Sequence, residues 1–308
     1  MKILVTGSNG LLGQKLIYKL VDIPGTEVIA TSKGENRISN KKGYHYFSLD
    51  ITNREEVQKL ISEIKPDCVI NTAAMTNVDA CELDQPGCLA LNVDAVTYLI
   101  EACKPIRSHF IHLSTDFVFD GKNGPYRESD KPGPLSFYAE SKLQSEKLVA
   151  ASGLNWAILR TIIIYGVVDN LQRSNLVLWT KNSLEEGKSI NVITDQFRSP
   201  TLAEDLADAC ISVALKKAQG IYHISGPESD IDSIINLVKK IAGFYGLDQS
   251  LIKPVTSAEL KQPAVRPPKT GFILDKARQD LAYEPHSFLE GLKIVTQQLD
   301  RKGLLKNP

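Results

Sequence analysis

Short apolar runs alternate along this chain with longer stretches whose apolar residues recur at helical intervals. Residues 2–6 form a short apolar run of the kind shown by a parallel strand buried on both faces. Leu12, Leu16, Ile17 and Leu20 then make an apolar stripe with Lys15 and Lys19 on the other side, which predicts an amphipathic helix. The alternation continues with strands at 28–31 and 46–49, a helix at 53–64, a strand at 68–71, a helix at 85–102 and strands at 110–113 and 156–160. Between the last two strands, the run from Pro134 to Ala151 has no interior Gly or Pro. Its apolar residues Leu135, Tyr138, Leu143, Leu148 and Val149 predict another helix. Strands alternating with helices predict a parallel sheet covered on both faces. After Gly166 the loops lengthen and prolines appear at 200, 227, 254, 263, 267, 268 and 285. A helix at 203–215 and a strand at 221–224 are expected to return to the main sheet.

The turn between the first strand and first helix reads Thr6-Gly7-Ser8-Asn9-Gly10-Leu11-Leu12-Gly13. A glycine-rich turn there aims backbone N–H groups at the positive end of a helix, where a pyrophosphate can bind. Gly7 would permit the tight turn, Gly10 the approach of phosphate and Gly13 close packing of helix on strand. The architecture expected is therefore α/β: a doubly wound parallel sheet of Rossmann type, helices on both faces, and a smaller C-terminal substrate-binding lobe. Residues 1–165 with about 200–225 would form the dinucleotide-binding domain, and 166–199 with 226–308 the lobe. Ligands in such sheets bind beyond the carboxyl ends of the strands, here at 7–13, 31–33, 50–51, 72–74, 114–116 and 161–165.

Composition narrows the class. The chain has 308 residues with 36 basic and 36 acidic side chains. A formal charge of zero implies no overall attraction to nucleic acid or an anionic membrane. Five cysteines (68, 81, 88, 103, 210), odd in number and without Cys-x-x-Cys, fit free thiols in a reducing compartment and give no metal site. No stretch approaches the roughly 18 uninterrupted apolar residues of a membrane span, and the first apolar run is too short for a signal-peptide core. A soluble cytoplasmic protein is expected.

Tyr138 and Lys142 are four residues apart on the helix predicted at 134–151, so they share one face, with Cβ atoms about 5–6 Å apart. A free phenol has a pKa of about 10, and a neighbouring ammonium favours its ionised form. With 10 tyrosines in the chain, about one Tyr-x-x-x-Lys is expected by chance, so the pair gains meaning only from its company.

Taken together, Thr6-Gly-x-x-Gly-x-x-Gly13, Asp50-Ile51, Asn71-Thr72-Ala73-Ala74, Asn92-Val93 and Tyr138-x-x-x-Lys142 resemble the extended short-chain dehydrogenase/reductase superfamily. Val78 to Glu82, Ser114-Thr115-Asp116-Phe117-Val118-Phe119-Asp120-Gly121, Tyr126-Arg127-Glu128, Asp195-Gln196-Phe197, Ser199-Pro200-Thr201 and Gly220 to His223 resemble the dTDP-4-dehydrorhamnose reductases within it. The resemblance covers nearly the whole chain. It implies NAD(P)H-dependent reduction of a nucleotide-linked 4-keto sugar, with Tyr138 protonating the ketone oxygen and Thr115 donating a hydrogen bond to it. Lys142 would bind the nicotinamide ribose and bias Tyr138 toward ionisation. The cofactor would lie on Gly7, Gly10, Leu11, Leu12, Gly13, Ser32, Lys33, Asp50, Ile51, Ala73, Ala74, Met75 and Lys142, and the substrate on Thr115, Asp116, Ile163 and Arg266. Asp116 could instead be a turn-forming residue, and Asn92 either bridges backbone near the site or is an ordinary helical polar residue. His112 and His223 fall in strands and read as core or edge residues. An acid at the end of the second strand would bind a 2′-hydroxyl, but Thr31-Ser32-Lys33 stand there with Arg37 close behind, so NADPH is expected, with NADH as the alternative. A nucleotide-sugar substrate is the partner expected, and a homodimer is compatible with the reading.

The chain departs from the family pattern in three places. Ile163 replaces an aromatic, Arg198 stands where a glycine is common, and Arg266-Pro267 continues with Thr270-Gly271-Phe272. An epimerase or dehydratase using the same cofactor site and a non-catalytic dinucleotide-binding subunit remain as alternative functions.

Overall fold

The computed structural model describes residues 1–169 and 174–304; positions 170–173 and 305–308, which belong to the expected lobe, lie outside the described residues. In chain order the first half comprises β1 (Lys2–Thr6), α1 (Leu11–Leu20), β2 (Glu27–Ser32), β3 (His45–Ser48), α2 (Arg54–Ile64), β4 (Cys68–Asn71), α3 (Val78–Leu83), α4 (Gln85–Leu89), α5 (Ala95–Cys103), β5 (His109–Thr115), α6 (Phe137–Ala150) and β6 (Trp156–Thr161). It continues through β7 (Ile164–Tyr165), α7 (Leu176–Glu185), β8 (Ile190–Ile193), β9 (Phe197–Arg198), β10 (Thr201–Leu202), α8 (Ala203–Lys216) and β11 (Gly220–Ile224). Last come β12 (Asp232–Ser233), α9 (Ile234–Phe244), β13 (Ile252–Val255), α10 (Ser257–Leu260), α11 (Asp275–Leu281) and α12 (Phe288–Arg301).

Seven parallel strands form the main sheet in the order β11-β6-β5-β4-β1-β2-β3. The order reverses between β1 and β4, and this switch point opens a crevice at the strands' carboxyl ends. Alternating residues of each strand feed two cores. Ile3, Val5, Ile70 and Ile111 pack with α1 and α8 on one face, and Leu4, Val69, Phe110 and Ile158 pack with α2 and α5 on the other. A third core joins Val177 of α7, Leu237 of α9 and Leu292 of α12. There the α12 backbone lies against Tyr165 at Gly291, where a Cβ would fall 1.8 Å from the phenol oxygen.

The helix expected at 85–102 runs from Gln85 to Cys103 and carries a π-helical turn within it. Asp84 caps α4 by accepting the Gly87 N–H, Pro86 occupies its first turn, and a π-helical turn at Ala90–Asp94 separates α4 from α5. Such wide turns re-aim a side chain at functional sites. Here the re-aimed residue is Asn92, which holds both backbone groups of Met75: the Met75 N–H donates to Oδ1 at 2.8 Å, and Nδ2 donates to the carbonyl at 3.1 Å. Asn92 therefore bridges backbone, as one of its two readings had it.

Candidate active site

The glycine turn is shaped by sterics. Gly7 has φ +65°, and a Cβ on it would sit 2.9 Å from Ala73 N. A Cβ on Gly13 would fall 2.3 Å from the Gly7 carbonyl oxygen. Both positions exclude larger residues, and they draw α1 against the end of β1. Gly10 caps α1 without any side-chain bond to its first turn, so the N–H groups of that turn keep the partner-seeking character that suits a diphosphate. Leu11 and Leu12 open the helix, and Ala73 lies against Gly7 with its N–H directed at Thr6 Oγ1, 3.4 Å away. These residues fit the diphosphate of a dinucleotide.

Over the end of β5 stands α6. Ser136 caps it by accepting the Ala139 N–H, and Glu82 of α3 accepts the Phe137 N–H at 2.7 Å. Seven of its residues are buried, including Tyr138, Lys142, Ser145 and Glu146. Tyr138 packs against Phe117 edge to face, 6.2 Å between ring centroids, and joins Cys81, Cys88 and Met75 in a small cluster. Burial pushes its phenol well above the usual tyrosine value, and the neighbouring Thr115 hydroxyl offsets this only in part. The resting phenol is therefore protonated, a donor in waiting. Lys142 is buried too, and burial lowers its ammonium to about 8. Its Nζ lies 3.2 Å from His112 Nε2. Burial, and then the Lys142 charge, holds His112 far below its ordinary range, so the imidazole is neutral and faces the ammonium without repulsion.

Sequence reasoning placed His112 as a strand residue and missed this contact. A signal existed: His112 and Ser114 share one face of β5 by period two, and Lys142, Ser145 and Glu146 share a face of α6. The two polar faces meet. His112 Nε2 is 3.0 Å from Ser145 Oγ, and Ser114 Oγ donates to Glu146 at 2.5 Å. Arg160 of β6 pairs bidentately with Glu146 at 2.9 and 2.7 Å, both side chains nearly fully buried. Removing one partner of such a pair costs about 3–5 kcal/mol, so α6 is held in place by charge as well as by packing.

The segment 264–270 forms a roof that joins α3 to β9. Arg266 pairs with Asp79 of α3 at 3.1 and 2.8 Å. Although burial works against it, this pair and the Ala264 N–H hold the Asp79 carboxyl below its ordinary value. The Arg266 guanidinium is thus committed to a protein carboxylate. Asp116 is equally committed. Oδ1 accepts from Thr115 Oγ1 at 3.2 Å, Oδ2 accepts from Thr270 Oγ1, and Arg198 Nε lies 3.4 Å from Oδ2. Ile163 is half-buried against the sheet's core after β6, and its carbonyl accepts the Thr201 N–H at 3.0 Å.

At the carboxyl end of β2, Ser32 closes the strand and its carbonyl accepts the Leu49 N–H at 3.0 Å. Lys33 is 80% exposed and reaches Asp50 Oδ2 at 2.6 Å. Asp50 also accepts from the backbone and hydroxyl of Thr52, while Ile51 is buried beneath it. Asn9 of the glycine turn donates to the Glu35 carbonyl and accepts the Arg37 N–H, both at 2.8 Å, tying turn and loop together. Among the described residues no group of His, Cys, Asp and Glu is placed to hold a metal ion. No described helix is long and apolar enough to cross a membrane.

A parallel sheet with a glycine turn after its first strand, and a Tyr-x-x-x-Lys helix over the strand ending in Thr115, defines a dinucleotide-dependent protein of the short-chain dehydrogenase/reductase type. More narrowly, the chain belongs to the RmlD substrate binding domain family, whose model matches residues 1–301. A dTDP-4-dehydrorhamnose reductase from Aggregatibacter actinomycetemcomitans is 33% identical over 304 residues, covering 96% of this chain and 98% of that protein. The beta subunit of methionine adenosyltransferase 2 from Bos taurus is 31% identical over 262 residues, 83% of this chain and 76% of that one. The crystal structure of a dTDP-4-dehydrorhamnose reductase from Bacillus anthracis, in complex with NADP, matches with a TM-score of 0.83 and 27% identity over 96% of this chain and 99% of that one.

Proposed function

We propose that this chain is a cytoplasmic NADPH-dependent reductase of a nucleotide-linked 4-keto sugar, with conversion of dTDP-4-dehydro-L-rhamnose to dTDP-L-rhamnose as the first reaction to test. The observation that carries the reading is the placement of Tyr138, buried on α6 with its ring edge to face on Phe117, over the end of β5 where Thr115 lies. Reduction of a ketone places negative charge on its oxygen, and a buried neutral phenol both donates a proton there and excludes water that would compete. When bound, a nicotinamide supplies the hydride. Thr115 turns its hydroxyl toward the developing oxyanion, and Lys142, fixed against His112, holds the ribose. In this reading Gly7, Gly10, Leu11, Leu12 and Gly13 take the diphosphate, Ser32 and Lys33 the phosphorylated ribose, Asp50 and Ile51 the adenine, and Ala73, Ala74 and Met75 the side of the cofactor. Residues 1–165 and about 200–225 form the cofactor half, and the remainder covers the sugar, with Ile163 and Arg266 on the substrate side.

The test is to follow NADPH and NADH oxidation against a panel of nucleotide-linked 4-keto sugars. Stoichiometric oxidation with a reduced sugar as product is expected. An epimerase or dehydratase would instead transform the sugar without net loss of reduced cofactor. The likeness to a subunit of another enzyme favours a second reading, a dinucleotide-binding subunit without turnover of its own. Cofactor binding with no sugar reduced anywhere in the panel would support that reading and sink the first.

A further inference from the structure

Arg198 stands on β9, apart in sequence from every residue with an assigned role, yet it joins three parts of the site. Its side chain is 1% exposed. Nη1 donates to the carbonyls of Phe197 at 2.7 Å and Pro268 at 3.3 Å, Nη2 donates to the Pro267 carbonyl at 2.6 Å, and Nε faces Asp116. The guanidinium also lies over the Phe117 ring, 5.4 Å from its centroid, and Phe117 in turn meets Tyr138. The roof segment is held to β9 by backbone bonds as well, from Phe197 N to Pro268 O and from Thr270 N to Phe197 O. A buried charge that spans three carbonyls and a carboxylate is costly unless every one of those bonds is made, which makes Arg198 the pivot on which the roof and Asp116 both rest.

The consequence for chemistry follows from counting protons. A threonine hydroxyl has one to give. At rest Thr115 points it at Asp116, while the Phe117 N–H donates to the same oxygen at 3.2 Å. To serve a ketone oxygen, Thr115 must turn its proton away from Asp116, leaving Oδ1 without that donor in a buried place. The carboxylate then depends on what remains. From β9 it has the Arg198 charge, from the roof the Thr270 hydroxyl, and from α6 only Tyr138, which is neutral. The Arg266–Asp79 pair lies beyond Arg198 and acts on Arg198, not on Asp116. Burial alone pushes Asp116 upward, and Arg198 is the charge that opposes it.

Resting on the reductase reading, we propose that Arg198 is a positioning residue: it keeps Asp116 ionised when Thr115 turns its hydroxyl away to donate a hydrogen bond to the substrate, and it fixes the 267–270 roof over the sugar. Two properties of the side chain separate the two roles. Its charge acts on Asp116. Its planar fork acts on the roof, and a lysine shares the charge but not the fork.

The experiment compares wild type with Arg198→Met and Arg198→Lys. The Asp116 carboxyl carbon is followed by NMR in aspartate-labelled protein across pH, and kcat and KM for the 4-keto sugar are measured over the same range. In Arg198→Met the Asp116 titration is expected to move up by at least about one pH unit, the acid limb of kcat/KM to move with it, and KM to rise about tenfold or more. Arg198→Lys is expected to restore the titration and the acid limb but not KM. Arg198→Gln, neutral yet hydrogen-bonding, replaces the Met variant if that one does not fold. An Asp116 titration unchanged in the neutral variants overturns the proposal, and so does a shifted titration with an unshifted acid limb. If wild type reduces no sugar while the titration shift is present, the reductase reading falls and the hold of Arg198 on Asp116 stands.

Discussion

The two ends of the crevice are built by different means. On the reductase reading, the cofactor end takes its shape from main chain: a left-handed Gly7, a Gly13 with no room for a methyl, and an α1 terminus capped by no side chain. At the substrate end the shape comes from side chains gripping side chains and carbonyls: Arg266 on Asp79, Arg198 on Pro267 and Pro268, Thr270 on Asp116. The first kind of site needs a few residues missing their Cβ at fixed spacing. The second needs long polar groups brought together from distant parts of the chain, so a change at one of them is felt by the others. Cofactor use and sugar use should therefore respond to different substitutions.

The largest separation is expected at Tyr138. Phe at this position keeps the packing against Phe117 and removes only the proton donor, so turnover should fall by about 10²–10⁴-fold while cofactor affinity barely changes. Cofactor titration beside steady-state turnover measures both. A folded Tyr138→Phe enzyme that loses less than about tenfold would show that another group supplies the proton.

Lys142 belongs to both ends, and Lys142→Met should cost cofactor affinity and turnover together. It should also stabilise the cofactor-free protein. The folded ammonium titrates at about 8, against an ordinary value of 10.5. Below pH 8 the lysine is charged both folded and unfolded, and its desolvation penalty is fully present. Between 8 and 10.5 the folded chain sheds a proton that the unfolded chain keeps, so wild-type stability rises with pH and the penalty fades. At about 1.4 kcal/mol per pKa unit the gain on substitution is on the order of 3 kcal/mol near pH 7 and smaller at pH 10. Urea denaturation at the two pH values decides it; an equal effect at both would remove the electrostatic explanation.

The same contrast explains what could be read from the sequence. The main sheet, the glycine turn and the position of α6 were legible because their signals are local. Strand and helix periods run over several residues, and the three glycines lie within one turn. The helix expected at 85–102 was legible as well, but not the π turn within it, which changes the period around Asn92 without any composition cue. The pairings β7 with β10 and β9 with β12 involve two-residue strands, too short to show alternation. Arg198 was noticed as a departure from the family pattern, but its partners Asp116, Pro267 and Pro268 lie about 70 to 80 residues away on either side, and no local pattern announces them. Asp116 and Arg266 were expected on the substrate side, but the partners Arg198 and Asp79, which engage their charged groups, had no local signal in the sequence.

Gly13→Ala probes the main-chain end alone. A Cβ placed 2.3 Å from the Gly7 carbonyl oxygen forces α1 or the turn to move, a strain of about 1–3 kcal/mol. The melting temperature should drop and the cofactor Kd should rise, while turnover at saturating cofactor and sugar KM stay close to wild type. A sugar KM that rose in step with the cofactor Kd would break the division between the two ends.

The smallest effect is expected at Lys33, where the cofactor end does use a side chain. Its ammonium is exposed and already engaged by Asp50, and exposed ion pairs contribute little. A 2′-phosphate would have to share or displace that partner, so Lys33 should favour NADPH over NADH only modestly, with Arg37 close behind it in the same loop. Lys33→Asp removes the positive charge and sets a second carboxylate beside Asp50, which disfavours a dianionic phosphate more than a neutral hydroxyl. The ratio of kcat/KM for NADPH to that for NADH should fall by a few-fold, mostly through KM for NADPH and more at low than at high ionic strength. Steady-state kinetics with both cofactors at two salt concentrations measures it. A ratio that does not move would take the 2′-phosphate away from Lys33, and a wild-type preference for NADH would take it away from this end of the crevice altogether.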